Sequence, residues 1–303
     1  MGRLAEIEAL VAVVESGSFS AAGERLGLAK SVISRRVSQL EQRLGSRLLH
    51  RTTRRLSLTD AGRDFYQRAV QILTDLDDAE QGVSSASAEL CGTLKVAAPL
   101  SFGLAHLSSA LTDFLERHPA IAVNLDLNDR NINLVEEGFD VAVRIGELQD
   151  STLVARRLGT SRTVTCASRA YLERHGEPLH PNELQRHIGL QYSNISYKQH
   201  WQFLTRDGKT LQAQPQIRMR ANNGEVLAGA AVAGIGITSG PTFILGPYLQ
   251  EGKLQPILMD YRRPSLGIFA VTPPGRLLPQ RVQRFIQFLS SRFGDQPYWD
   301  EHL

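Results

Sequence analysis

The stretch from Lys30 to Gly45, "KSVISRRVSQLEQRLG", carries two faces on one helical repeat. Ser31, Ser34, Arg35 and Ser38 fall together on one side, with Lys30 at the N-terminal end. Short hydroxyls let a helix sit deep in a DNA major groove, where Ser bonds base edges or phosphate and Arg reaches guanine or the backbone. The helix N-terminus adds a preference for phosphate. On the opposite side Ile33, Val37, Leu40 and Leu44 form a packing face. An ordinary solvated helix has the same pattern, so the elements around this one decide between the two readings.

Two shorter helical patterns precede it. Leu4, Ile7, Leu10, Val11 and Val14 form a stripe that Gly17 ends. Ser18 is placed to cap "FSAAGERL", where Ala21 and Ala22 let another helix approach, and Gly27 turns the chain into the third helix. Helix, short helix, glycine turn and longer helix is the order of a helix-turn-helix. After it, "RLLHRTTRRLSLTDAG" (Arg47 to Gly62) has two short β-prone segments around a turn. Such a basic hairpin is a wing, which can set Thr53, Arg54 or Arg55 against phosphates or in an adjacent minor groove. Charge follows the same division. Residues 1–58 carry Lys30 and nine arginines against five glutamates, a net of +5, whereas residues 59–90 carry two arginines against seven acids, a net of −5. An arginine-rich end on a chain of net charge +3 points to a polyanion-binding head.

The ordered run from Ser18 to Gly62 closely resembles the winged helix-turn-helix of the LysR-type transcriptional regulators. The resemblance rests on Ser34-Arg35, Leu40-Glu41, Leu44-Gly45, the Arg51-Thr52-Thr53-Arg54 wing and the series from Leu58 to Gly62. Lys30 stands where members often have Gln, and His50 where they often have Phe; the latter is expected to pack at the base of the wing. Lys30 favours guanine or phosphate over adenine.

Thr59 and Asp60 open a long helix as N-cap and first-turn acid. Phe65, Ala69, Ile72, Leu76, Ala79, Val83, Ala86 and Leu90 recur at alternating steps of four and three, an a/d heptad seam on a polar helix. Packing on its own domain is the simpler alternative. Pairing between subunits is the expected use, through Phe65, Ile72, Leu76 and Val83, and the resemblance agrees by implying a linker helix that joins two chains. Two recognition helices held at a fixed distance would read two half-sites related by a dyad.

From residue 92 the chain alternates strands and helices: "TLKVAAP", a helix around "LAHLSSALTDFLERHP", "IAVNLDLN", "INLVEEG" and "FDVAVRIG". This βαβαβ order predicts a parallel sheet with helices on its faces. A second set starts at "RTVTCAS" and includes "GEVLAGAAVAGIGITSGP"; "SLGIFAVTPP" and "QRVQRFIQFLSSRF" close the chain. The resemblance continues through "LVEEGFDVAVRIG" and "GEVLAGAAVAGIGI". It implies two α/β subdomains around a cleft, as in periplasmic solute-binding proteins. The expected fold class is therefore α/β: a winged helix-turn-helix over 1–59, a dimerising linker helix over 60–90 and a two-lobed effector domain over 91–303. Lobe I takes about 92–161 and 266–303, and lobe II about 162–265.

Other chemistries find little support. With 303 residues, 42% hydrophobic and a slightly negative mean hydropathy, the chain reads as globular and soluble. No apolar run reaches the ~18 residues of a membrane span, and the N-terminus is not a signal sequence. Two cysteines without CxxC spacing, Cys91 and Cys166, suit a reducing cytoplasm as inert thiols. There is no GxSxG, HExxH or P-loop, the "GIG" at Gly234 is no dinucleotide fingerprint, and the eight histidines lack metal-ligand spacing. No enzyme activity, metal or cofactor is expected.

Ligands of α/β sheets gather at the carboxyl ends of strands. Ser101 follows the first strand beside a helix N-terminus suited to a carboxylate. Asn128 ends the second strand, Arg144 lies near the end of the third, and Asn222 and Asn223 precede the helix of the other lobe. The simpler alternatives are that Asn222 caps its helix and Arg144 makes a structural ion pair. Alignment with the family puts Ser101 and Asn128 at pocket-lining positions. The expected partners are double-stranded DNA, a small organic acid as effector, and further copies of the chain, in a homodimer or, as the family implies, a homotetramer. A ligand-binding module without DNA and an architectural DNA binder without ligand are the competing classes. The basic head opposes the first, and the two-lobed region the second.

Overall fold

The computed structural model describes residues 2–51, 56–83, 89–130, 132–146, 153–194, 201–274, 278–294 and 298–301. The chain divides into two compact units, 1–88 and 89–303.

In the first unit, α1 (Arg3–Ser16), α2 (Phe19–Leu26) and α3 (Lys30–Leu44) enclose Leu10, Val13, Ala22, Ile33, Val37 and Leu40. Gly17, Gly27 and Gly45 end the three helices in the left-handed region, and Ser18 Oγ caps α2 by accepting from Ala21 N at 3.1 Å. Gly23 is a packing requirement: a Cβ there would lie 2.6 Å from the Leu28 carbonyl oxygen, where the turn folds back on α2. Two residues of the expected apolar stripes point outward. Leu4 is 39% exposed and Leu44 38%, because each lies at a helix end beyond the crossing with its neighbours. The wing strands β1 (Leu49–Arg51) and β2 (Leu56–Leu58) pair antiparallel. His50 is exposed rather than packed at their base.

Helix α4 runs from Asp60 to Val83. Thr59 Oγ1 accepts from Gly62 N at 2.9 Å and donates to the Arg47 carbonyl at 2.8 Å, so one hydroxyl caps α4 and ties it to the entry of the wing. The seam divides. Ala69 is fully buried with Ile7 and Val11 of α1, and Phe65 packs against the same cluster, so this end of the stripe closes the head's own core. Further along, Ile72 is 46% exposed. At the far end of the expected run Ala86 lies outside the described residues, and Leu90 is non-helical and packs on the core of the second unit. Its heptad position is coincidental, because the strand that starts at Gly92 takes up the chain there.

The second unit holds two five-stranded sheets. The first uses β3 (Gly92–Ala98), β4 (Ile121–Leu127), β5 (Val141–Gly146) and β6 (Val154–Ser161). Between β3 and β4, α5 (Leu100–Phe102) continues through a π-helical turn at Gly103–Leu107 into α6 (Ser108–Arg117), and α7 (Leu134–Glu137) precedes β5. The second lobe holds β7 (Thr163–Ala167), α8 (Arg169–His175), β8 (Ile188–Tyr192), the hairpin β9 (Trp201–Leu204) and β10 (Thr210–Ala213), β11 (Gln216–Ala221), α9 (Gly224–Val232), β12 (Ile237–Pro241), α10 (Thr242–Gln250) and β13 (Gln255–Pro256). The chain then returns as β14 (Leu266–Thr272) and α11 (Gln280–Phe293).

Sheet orders are β4-β3-β5-β14-β6 and β11-β8-β12-β7-β13. Both are mixed rather than wholly parallel. β3 runs parallel to β4 and β5, but β14 is antiparallel to β5 and β6; likewise β7 is antiparallel to β12 and β13. The departure has one cause. The chain leaves the first sheet at Ser161, enters the second at Thr163 and returns at Leu266, and each exchange inserts a strand from the opposite direction. Lobe I is centred on Leu94, Val96, Phe114, Phe285 and Leu289, and lobe II on Leu190, Leu227 and Ala231 with a second cluster around Tyr171, Leu184 and Phe203. Both cysteines are free, and burial pushes the Cys166 thiol up to about 12.

Candidate functional site

The first site is the outer side of α3. With Ile33, Val37 and Leu40 buried, the helical period turns Lys30, Ser31, Arg35 and Ser38 outward and leaves Ser34 half-exposed. Ala29, the N-cap residue, gives no side-chain bond, so the first-turn N–H groups have no side-chain acceptor from the cap. The residues beside this face fix its angle. Arg43 donates through Nε and Nη2 to Glu6 Oε2 at 3.1 and 2.9 Å, binding α3 to α1. Glu41 Oε1 accepts from Leu48 N and Leu49 N at 2.9 and 3.1 Å, which anchors the first wing strand. Gly62 lies so close to the Leu48 carbonyl oxygen that a Cβ would come within 2.0 Å. Glu41, Thr59 and Gly62 thus position the wing, and much of the sequence pattern that marks the head is structural. Thr53, Arg54 and Arg55 lie outside the described residues, as does the side chain of Val83.

The second site lies between the lobes. Ser101, 6% exposed at the start of α5, donates its hydroxyl to Glu225 Oε2 of α9 in the other lobe. Asn223 Nδ2 approaches Ser101 Oγ at 3.5 Å, while its Oδ1 caps α9 by accepting from Val226 N at 3.1 Å. Leu100 N donates to Asp129 Oδ1 at 3.3 Å. Asn194 Nδ2, from beyond β8, donates to the Asp129 carbonyl and lies 3.4 Å from Tyr192 Oη. Burial raises the Asp129 carboxyl above its usual range, the Leu100 N–H opposes the shift, and the charge of Glu225 adds to it. Tyr192 is pushed up to about 12 by burial first and by the charges of Asp129 and Glu225.

Of the residues expected here, Ser101 and Asn223 meet. The others do not join them. Asn128 donates to Asp126 Oδ1 at 2.6 Å and accepts from Arg130 N at 3.2 Å, closing a local turn. Arg144 donates to the Ile132 carbonyl at 2.8 Å. Asn222 is exposed, and the cap of α9 is Asn223. Asp129, Tyr192, Asn194 and Glu225 were not expected. Asp129 had a signal, since it follows Asn128 at the end of a strand; Glu225 reads from sequence as a first-turn acid only. Two surface hollows, beside α11 and beside Arg206, include none of these residues. Among the described residues no cluster could hold a metal ion, and no helix is long and apolar enough to cross a membrane.

Comparison with known proteins gives both regions a family. Residues 4–63 match the bacterial regulatory helix-turn-helix protein, lysR family, and residues 87–294 match the LysR substrate binding domain. An uncharacterized HTH-type transcriptional regulator of Haemophilus influenzae is 38% identical over 93% of this chain and 98% of its own. The HTH-type transcriptional regulator CrgA of Neisseria meningitidis serogroup C is 36% identical over 96% of this chain and 97% of its own. The solved structure of CrgA from Neisseria meningitidis superposes with a TM-score of 0.59 at 36% identity, covering 96% of this chain and 99% of that one. The Vibrio cholerae virulence activator AphB gives 0.58 at 28% identity, covering 96% and 99%. The chain belongs to the LysR family of helix-turn-helix transcriptional regulators and is a regulator rather than an enzyme.

Proposed function

We propose that this regulator works in the cytoplasm, binds double-stranded DNA as a dimer or a tetramer of dimer pairs, and responds to a small organic acid taken between the lobes of its effector region. The observation that carries the DNA reading is the outward turn of Lys30, Ser31, Ser34, Arg35 and Ser38 on a helix whose back is closed. Thr53, Arg54 and Arg55 extend the contact at the wing. Ile72 and Leu76, beyond the part of α4 that seals the head, are the proposed pairing surface, with Val83 continuing it.

The organic-acid reading draws support from the donors in the cleft. The Ser101 hydroxyl and the Leu100 N–H hold carboxylate oxygens, those of Glu225 and Asp129. Donors satisfied by carboxylates have the geometry for a carboxylate. Sequencing the DNA that co-purifies with the chain from sheared genomic fragments tests the first part. The selected duplex and a shuffled copy are then titrated at several salt concentrations. Equal affinity for both duplexes at every salt concentration refutes sequence-specific binding.

A further inference from the structure

Ser101 and Glu225 stand on different lobes, so the bond between them is also a fastening of the cleft. Its second strand is the bond from Asn194 to the Asp129 carbonyl, again from lobe II to lobe I. Asp129 Oδ1 is held by the N–H of Leu100, the residue next to Ser101, so both acids sit at the start of α5; burial first and the charge of Glu225 after it raise the Asp129 carboxyl. Neither carboxylate makes an ion pair among the described residues. Two like charges without a cation sit where a ligand carboxylate would be received.

We infer that Glu225 is a built-in placeholder: its carboxylate occupies the Ser101 hydroxyl in the ligand-free protein and fastens the lobes, and an effector carboxylate binds by taking its place. This rests on the organic-acid reading above and adds a mechanism to it. The exchange is one of hydrogen-bond acceptors only. Ser101 Oγ–H passes from Glu225 Oε2 to the ligand oxygen, Glu225 turns to solvent at the exposed start of α9, and Asn223 stays anchored through Val226 N. The placeholder sets a threshold. A weakly held anion cannot displace it, because it loses the bond to Ser101 to an intramolecular competitor and meets the charges of Glu225 and Asp129.

Removing the charge of the placeholder should therefore strengthen the binding of acids. The test is calorimetry on the full-length protein, wild type and the variants Glu225→Gln and Glu225→Ala, with benzoate, benzamide and benzylamine as probes. Glu225 is exposed, so both variants should fold, and their thermal unfolding is compared first. The expected result is benzoate affinity at least about tenfold higher in both variants, with benzamide altered less than about twofold and benzylamine weakened. Benzoate affinity equal to or below wild type in both variants overturns the placeholder while leaving the organic-acid reading in place. Wild-type protein that prefers benzylamine to benzoate overturns that reading. No benzoate binding by any of the three forms counts against the placeholder as well.

Discussion

On α3, Ser31, Ser34, Arg35 and Ser38 lie within one short stretch of chain, and a single periodicity turns them to one side. In the cleft, Ser101 and Glu225 are 124 positions apart, and Asn194 and Asp129 are 65 apart. Both sites use hydroxyls, joined on α3 by a guanidinium and in the cleft by amides. The first becomes a surface as soon as one helix buries its apolar back; the second exists only when two sheets have formed and closed on each other. The outer side of α3 can thus accept substitutions without loss of fold, whereas the cleft's residues also hold the lobes together.

The comparison breaks most visibly at the pairing surface, where the largest effect is expected. Leu76→Asp places a charge on the proposed seam, and a desolvated carboxylate without a partner costs several kcal/mol. Sedimentation should show loss of the multimer mass, and operator affinity should collapse because two half-sites are no longer bound as one unit. A variant that sediments as wild type means that this stretch of α4 does not pair subunits.

A second effect, of about 3 kcal/mol, is expected from Gly62→Ala. The added methyl meets the Leu48 carbonyl, a backbone atom that can move only with the wing strand. Amide exchange should accelerate in the head and not in the effector unit. An unchanged head would mean that the wing is loosely held, against the three hydrogen bonds from Glu41 and Thr59 that fix it.

Acid should reverse that selectivity. His106, 7% exposed in the π-helical turn, lies with its ring centroid 4.3 Å from that of Trp299 at a tilt of 42° and shares a 2.6 Å contact with Tyr298 Oη; burial lowers its ring to about 4. Above pH 6.5 it is neutral folded or unfolded. Between 6.5 and about 4 the unfolded chain takes up a proton that the folded one refuses, so stability falls as pH falls, on the order of 3 kcal/mol across that window. Both tryptophans, Trp201 and Trp299, belong to the effector unit, so fluorescence-detected unfolding follows that unit alone. His106→Phe should flatten this slope; the same slope in the variant refutes the assignment to His106.

These differences also explain what the sequence could reveal. Helices α1 to α3, the wing strands and the caps at Ser18 and Thr59 follow from local rules, and the structure places them where periodicity and glycines predict. Heptad counting overran its element at Leu90, because spacing does not register the start of β3 two residues later. Strand direction was illegible for a related reason: β14 joins its sheet from the far end of the chain. In the cleft, only residues next to a predicted strand end or helix start could be proposed. Glu225 and Asn194 join Ser101 and Asp129 only where the lobes meet, while Asn128 and Arg144 bond to nearby partners, Asp126 and the Ile132 carbonyl.

The smaller expected effects separate the two sites by how binding energy is distributed. Arg35→Ala should weaken the selected duplex by about 1–3 kcal/mol and relax base preference, since one guanidinium on a groove-facing helix can supply a bidentate contact that its neighbours cannot replace. In the cleft no single donor has that weight. Ser101→Ala removes one hydroxyl donor, and Leu100 N–H and Asn223 Nδ2 remain beside it. Benzoate should therefore lose at most about 1 kcal/mol, the net worth of one hydrogen bond, because the same variant releases Glu225 from Ser101. Asn128→Ala should change benzoate affinity by less than about twofold, since its amide is spent on Asp126 and the Arg130 N–H. Calorimetry on both variants with the same ligand makes the contrast quantitative. If Asn128→Ala costs as much as Ser101→Ala, the pocket extends to the end of β4, and the residues meeting between α5 and α9 are only part of it.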